Sequence, residues 1–174
     1  MTVILNINGP INAGKSTVSK LLEQQLENAL FIEVDNLMSD AEEKKLGITM
    51  HEGWRERLKR LDKIIEQRKT ENFCYIIFAY PMDEENYQRW CKFADLNTVF
   101  LNITLAPSLE VCLQNRGTRN LTEWEQSRIK DMYEANFHAP LHSDLIIDNS
   151  RQTPQQTVDV IKKFLSERTH DENS

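Results

Sequence analysis

Glycine and proline are scarce in this chain, five of each among 174 residues, and no stretch gathers them into a linker. No internal repeat or low-complexity block interrupts the sequence either, so composition gives no reason to divide it. Cysteine is scarcer still: Cys74, Cys91 and Cys112 are three in number and show no C-x-x-C spacing. An odd, unclustered set excludes a disulfide or zinc framework and reads as reduced thiols in a cytosolic protein. Cys74 and Cys112, in or beside apolar runs, read as buried packing residues. No apolar run approaches the ~18 residues of a membrane span. The first residues lack the basic, apolar, small-residue order of a secretory signal, so a cytoplasmic location is expected. Positive charge is in deficit, 21 Lys and Arg against 27 Asp and Glu, a net charge of −6. Such a chain gains little from a phosphate backbone, which argues against a broad nucleic-acid surface. His51, His138 and His142 have no nearby cysteine pair and are read as surface or packing residues.

What remains is an ordinary globular balance, 40% hydrophobic and 28% charged, in a chain long enough to bury one core. Five short apolar runs predict strands at 3–8, 30–34, 73–80, 98–105 and 145–148. The run at 73–80 is almost continuously apolar, as a strand covered on both faces of a parallel sheet must be. Helical spacing fills the intervals. Val18, Leu21, Leu22 and Leu26 make one apolar face, and Trp54, Leu58, Leu61 and Ile65 another. Leu109, Val111, Cys112 and Leu113 mark a short helix behind Pro107. Ile129, Met132 and Tyr133 mark one after Thr122, whose Glu125 completes a capping box. A last helix spans 157–165, preceded by Pro154. Strands alternating with helices predict a three-layer α/β sandwich, a five-stranded parallel sheet with helices on both faces. One domain is expected over 1–168, with a polar, fraying tail at 169–174.

The residues Gly9, Pro10, Ile11, Asn12, Ala13, Gly14, Lys15 and Ser16, followed by Thr17, fit G-x-x-x-x-G-K-[ST]. The chemistry demands this pattern in this place. The glycines let backbone N–H groups turn inward between a strand and a helix, and the helix aims its positive end at an anion. Lys15 is then placed to reach the outer phosphates of a nucleotide, and the Ser16 hydroxyl to ligate Mg²⁺.

From this loop onward the chain resembles the small P-loop kinases, the group of shikimate kinases, adenylylsulfate kinases and chloramphenicol phosphotransferases. The resemblance implies the fold of P-loop nucleoside triphosphate hydrolases. In that group an acid at the end of the second strand faces the acceptor hydroxyl or the metal, which here falls on Asp35. A carboxylate there orients the hydroxyl or accepts its proton for in-line attack; the residue alone also suits an N-cap for a helix over 36–43. Paired arginines in a lid fall on Arg116 and Arg119, in a short lid near 116–121, the first to stack on the base and the second to reach the phosphates. The loop after the last strand often borders adenine, which implicates Asn149, Ser150 and Arg151. The segment after the second strand covers the acceptor, giving Arg55 as an anion contact and Trp54 as a wall. Its charges otherwise read as a solvated helix face with i,i+3 or i,i+4 pairs: Arg55, Arg57, Arg60 and Arg68 among Glu52, Glu56 and Glu66.

The resemblance thus implies an ATP- and Mg²⁺-dependent transfer of a γ-phosphate to the hydroxyl of a small molecule. Lys15, Asp35 and Arg119 act, Ser16 and Asp35 hold the metal, and Asp35, Arg55 and Tyr80 line the acceptor pocket. A monomer or homodimer without nucleic-acid or membrane partners is expected. Two departures bear on the acceptor. Shikimate kinases carry a glycine run after the third strand, and nucleoside monophosphate kinases an Asp-Gly; this chain has neither over 78–83. A nucleoside or nucleotide kinase is the enzymatic alternative, and a nucleotide-sensing module without catalysis the other. The N-K-x-D motif that reads guanine is absent, which favours adenine.

Overall fold

The computed structural model describes residues 1–71, 73–115 and 119–171, with side chains as far as residue 168. Five strands form one sheet in the order β2-β3-β1-β4-β5. They are β1 Thr2–Asn8, β2 Ala29–Ile32, β3 Tyr75–Ala79, β4 Thr98–Leu105 and β5 Leu145–Ile147, and every neighbouring pair is parallel. All five fall on the apolar runs, most of them trimmed at the ends. Phe73 and Cys74 precede β3, and Cys74 is exposed rather than packed. Its backbone is tied to Val3 and Asn28 at the amino-terminal edge of the sheet, which leaves the thiol to solvent.

Alternation along β1 divides the core. Val3, Leu5 and Ile7 face one cluster, built with Val18 and Leu22 of α1 (Lys15–Gln25), Ile129 of α6 (Glu123–Glu134) and Val158, Ile161 and Leu165 of α7 (Pro154–Asp171). Ile4 faces the other, built with Leu58, Leu61 and Ile65 of α3 (Met50–Lys69) and Trp90 of α4 (Glu84–Cys91). Removing such side chains from water is worth roughly 1.5–3 kcal/mol each, which is what holds helices on both faces. Phe78 and Trp90 meet edge to face at 4.6 Å. The short α5, Leu109–Cys112, begins at Ser108, whose hydroxyl accepts from the Val111 amide. Thr122 and Glu125 close the expected capping box on α6, and α7 opens on Pro154, where a missing N–H costs nothing. That helix runs on to Asp171, through the first residues of the tail.

The connection after β2 departs from expectation. Instead of one helix over 36–43 capped by Asp35, a 3₁₀ turn spans Val34–Leu37 and a separate helix, α2, spans Asp40–Leu46. Met38 is extended between them, and Ser39 supplies the cap by accepting from the Glu42 amide at 3.2 Å. Asp35 is thereby left exposed in the turn, just past the carboxyl end of β2, rather than used as a helix cap. The arginines of α3 pair only in part as expected: Arg60 does meet Glu56 at 3.4 Å, one turn back, but the closer bonds run elsewhere. Arg57 is buried and reaches Glu43 of α2, and Arg60 reaches Glu42 at 2.6 Å, so these bonds join two helices rather than decorate one face.

Candidate active site

The loop between β1 and α1 has the geometry that its residue types require. Gly9 has φ +143°, and a Cβ there would sit 2.5 Å from the Leu105 carbonyl oxygen, so only glycine lets the chain leave β1 this close to β4. Gly14, at φ +94°, opens α1 without a side-chain cap, leaving the first-turn N–H groups to an external acceptor. Asn12 is left-handed at φ 65°, and its amide donates to the carbonyls of Cys112 at 2.9 Å and Gln114 at 2.8 Å. The loop is therefore tethered to the foot of the segment that leads to Arg116.

Lys15 folds back under the loop and donates to the carbonyls of Gly9 at 2.9 Å and Pro10 at 2.7 Å. These partners are neutral, and burial pushes the ammonium down from its ordinary value to about 8. The thiol of Cys112 and the carboxylate of Asp35 pull it back up, while the guanidinium of Arg119 adds to the depression. A desolvated cation without a contacting carboxylate is costly. It fits a site built for polyanionic oxygens.

A cavity of about 460 Å³ lies along this loop, and its walls include Gly14, Lys15, Arg119, Asn149, Gln152 and Pro154. Asn12, Ala13, Ser16 and Thr17 line it as well, the last two exposed. Arg119 is held on its rim by Glu125 at 2.6 Å, and together with the Thr122 backbone this keeps the Glu125 carboxyl below its usual range. Asn149 is buried and donates to the Ala13 carbonyl at 3.0 Å, while its own Oδ1 has no partner among the described residues. Ser150 instead accepts from the Ser108 amide at 2.8 Å. Arg151 is exposed and does not line the cavity. Gln152 and Pro154 do line it and were not anticipated; they follow Asn149 by three and five residues, and extending the same loop would have found them. Arg116 lies outside the described residues.

On the other side of β1, Asp35 reaches Lys15 through its charge but lines none of the cavities described. Tyr80, half-buried, packs against Trp54 at 5.9 Å and Trp90 at 5.7 Å, and burial raises its phenol above the ordinary value. Arg55 is exposed on α3. Lys15, Asp35, Arg119 and Asn149 are thus brought around one loop, and Ser150, Arg151 and Arg55 are not. Among the described residues no helix is long and apolar enough to cross a membrane.

The family model described as shikimate kinase matches residues 11–166. Among solved structures, the tunicamycin resistance protein of Deinococcus radiodurans superposes with a TM-score of 0.67 at 18% identity, covering 95% of this chain and 96% of that one. A shikimate kinase from Acinetobacter baumannii, in complex with shikimate, gives 0.63 at 18% identity, with 97% and 94% covered. A gluconokinase from Sinorhizobium meliloti 1021 gives 0.62 at 15% identity, with 99% and 97% covered. At these identities the structures establish the shared fold. No curated protein matches.

Proposed function

The chain belongs to the shikimate kinase family and is a small-molecule kinase; from that premise we propose that it transfers the γ-phosphate of ATP, with Mg²⁺, to a hydroxyl of a small molecule. The observation that carries the reading is the desolvated ammonium of Lys15, folded under a loop whose N–H groups and helix end also favour an anion. ATP supplies the phosphoryl group and Mg²⁺ neutralises its developing charge. The backbone of Gly9–Thr17 holds the phosphate chain, and the Ser16 hydroxyl and Asp35 hold the metal. Asn149 Oδ1, buried without a partner among the described residues, accepts from the base or sugar. Arg119 leaves Glu125 and binds phosphate oxygens, for which its planar fork is suited. Asp35 orients the acceptor hydroxyl and takes its proton. No covalent intermediate on the enzyme is needed, because such transfers rest on positioning and charge.

The test is ADP release with a panel of hydroxylated acceptors, together with two variants. Lys15→Ala abolishes transfer and leaves the fold intact; full activity in that variant overturns the reading. Asp35→Asn lowers turnover far more than ATP affinity if Asp35 serves the acceptor. A collapse of ATP·Mg²⁺ affinity with little change in the acceptor KM would instead make it chiefly a metal ligand.

A further inference from the structure

A second cavity, of about 500 Å³, opens beside the nucleotide loop. Met82, Asp83 and Glu84 form one wall, and Asn136, Phe137 and His142 belong to the facing one. The link to the loop is direct. Asn8, the residue before Gly9, accepts from the Met82 amide at 2.7 Å and donates to the Phe137 carbonyl at 3.3 Å, so one side chain ties both walls to the end of β1. Two carboxylates and one histidine carry the titratable groups of the lining, and neither lysine nor arginine contributes to it among the described residues.

The terminal nitrogens of three arginines on α3 and α4 already face carboxylates, although Arg57 Nε has no partner among the described residues. Arg57 is buried; it bonds Glu43 and the Met38 carbonyl, the latter at 2.7 Å, and stacks on Trp54 at 5.0 Å. Glu43 in turn lies flat on Gly53, where a Cβ would come within 2.1 Å of its Oε1. A helix position kept as glycine makes room for that carboxylate against the helix. Arg60 forms a two-pronged pair with Glu42 at 2.6 and 3.1 Å and also holds the Leu37 carbonyl at 2.7 Å. Arg89 is paired with Asp62 at 2.6 Å. Arg55 is exposed, ~200° round the helix from Arg57. To bind an anionic acceptor, Arg57 would have to abandon Glu43 and leave a half-enclosed carboxylate unpaired, an exchange that loses more than it gains. Asp83 and Glu84 would repel the same anion.

Resting on the phosphotransferase reading, we propose that the acceptor is a polyhydroxylated compound with no carboxylate or phosphate of its own, an uncharged or amine-bearing sugar-like molecule rather than a hydroxy acid. Glu84 is held by His142 and Gln88, and Asp83 takes the Asn86 amide on Oδ1. The second oxygen of Asp83, Asn136 and the two backbone-lined walls are what hydroxyls and amines can bond, and Phe137 and Met82 offer apolar surface to a ring face. The hydroxy acids would meet a site whose cations are already paired.

The experiment uses the whole chain with ATP·Mg²⁺. ADP release is followed with shikimate and gluconate on one side and glucose, glucosamine and uridine on the other. Binding of each compound is measured separately by calorimetry with a non-hydrolysable ATP analogue. At least one non-anionic compound is expected to exceed both hydroxy acids by 100-fold or more in kcat/KM, with no measurable binding of the acids. In Glu43→Ala, which takes the carboxylate away from Arg57, hydroxy-acid affinity is expected to rise at least 10-fold; no rise in a folded variant overturns the pairing argument. The unmodified chain decides the matter even where that variant does not fold. Turnover of shikimate or gluconate at equal or greater efficiency overturns this inference and leaves the phosphotransferase reading standing. No binding and no ADP release above the acceptor-free rate with any compound overturns both.

Discussion

At the scale of single residues, Lys15 carries the strongest claim and the sharpest pH prediction. Its ammonium is pushed down to about 8 chiefly by burial, below the 10.5 of an unhindered lysine. Between those two values the unfolded chain binds more protons than the folded one, so this group makes the fold more stable as pH rises through that window. Phosphate oxygens act in the opposite direction: they favour the charged form and draw the value back up. Nucleotide binding must therefore take up a proton wherever the free protein has lost one. With a value of about 8, Lys15 is about nine-tenths charged at pH 7 and about one-quarter charged at pH 8.5. Calorimetric titration with ATP·Mg²⁺ in buffers of different ionisation enthalpy should show about 0.1 proton taken up at pH 7 and about 0.7 at pH 8.5. Lys15→Arg, whose guanidinium stays charged at both, should abolish the difference. Equal uptake at the two pH values would show that Lys15 does not carry the titration. This residue was legible in the sequence because its motif is contiguous: eight consecutive positions state the loop, the glycines and the cation together.

At the scale of elements, the same directness fails for α2 and α3. A run of alternating charges on α3 looks like a solvated face when only i,i+3 and i,i+4 partners are considered. Arg60 keeps the local partner Glu56 at 3.4 Å, but the closer partners of Arg57 and Arg60 lie on the preceding helix, 14 and 18 residues away, and nothing in the local pattern marks them. The glycine at position 53 is the one hint, since a glycine inside a helix is costly unless something needs the space; here it is the Glu43 carboxylate. The boundary between the 3₁₀ turn and α2 was missed for a related reason: Asp35 and Ser39 are both good caps, and only packing chooses between them. The buried pair predicts a stability effect that a surface pair would not show. Arg57→Ala leaves Glu43 and the Met38 carbonyl without their partner, and breaking a buried pair from one side costs about 3–5 kcal/mol. Arg60→Ala, at a half-exposed pair, should cost about 1 kcal/mol or less. Urea unfolding of the two variants side by side checks the contrast. Equal small losses would mean that α2 is not held through Arg57.

At the scale of the whole molecule, the sheet was readable from its apolar runs, but the polar thread through its centre was not. Asn6 and Asn8 on β1 sit opposite Asn102 and Thr104 on β4, and all four are fully buried. Asn6 donates to Asn102 at 2.9 Å and Asn8 to Thr104 at 2.8 Å. Beyond the sheet, Asn6 holds the Tyr80 backbone at both its N–H and carbonyl, Asn102 donates to the His142 carbonyl at 2.8 Å, and Thr104 meets the Ser143 hydroxyl. The alternation of polar and apolar residues in each strand is visible in the sequence. The register that makes the residues face one another is not, because it depends on strand order. This thread fixes the residues after β3 and those before β5 to the strand that carries the nucleotide loop, so both rims of the second cavity move with it. Asn8→Val removes the side chain at the junction with little change of volume. It strands the Met82 N–H and the Phe137 carbonyl and deprives the Thr104 hydroxyl of a donor. At about 1–3 kcal/mol for each buried group left unpaired, and with Ser143 still serving Thr104, the loss should be about 3 kcal/mol. Hydrogen exchange gives the more specific readout. The Met82 amide should lose protection by much more than the global destabilisation explains, whereas Leu5 amide exchange, deep in β1, should slow or quicken only with global stability. If both amides change by the same factor, Asn8 contributes to the core alone and does not hold the two rims together.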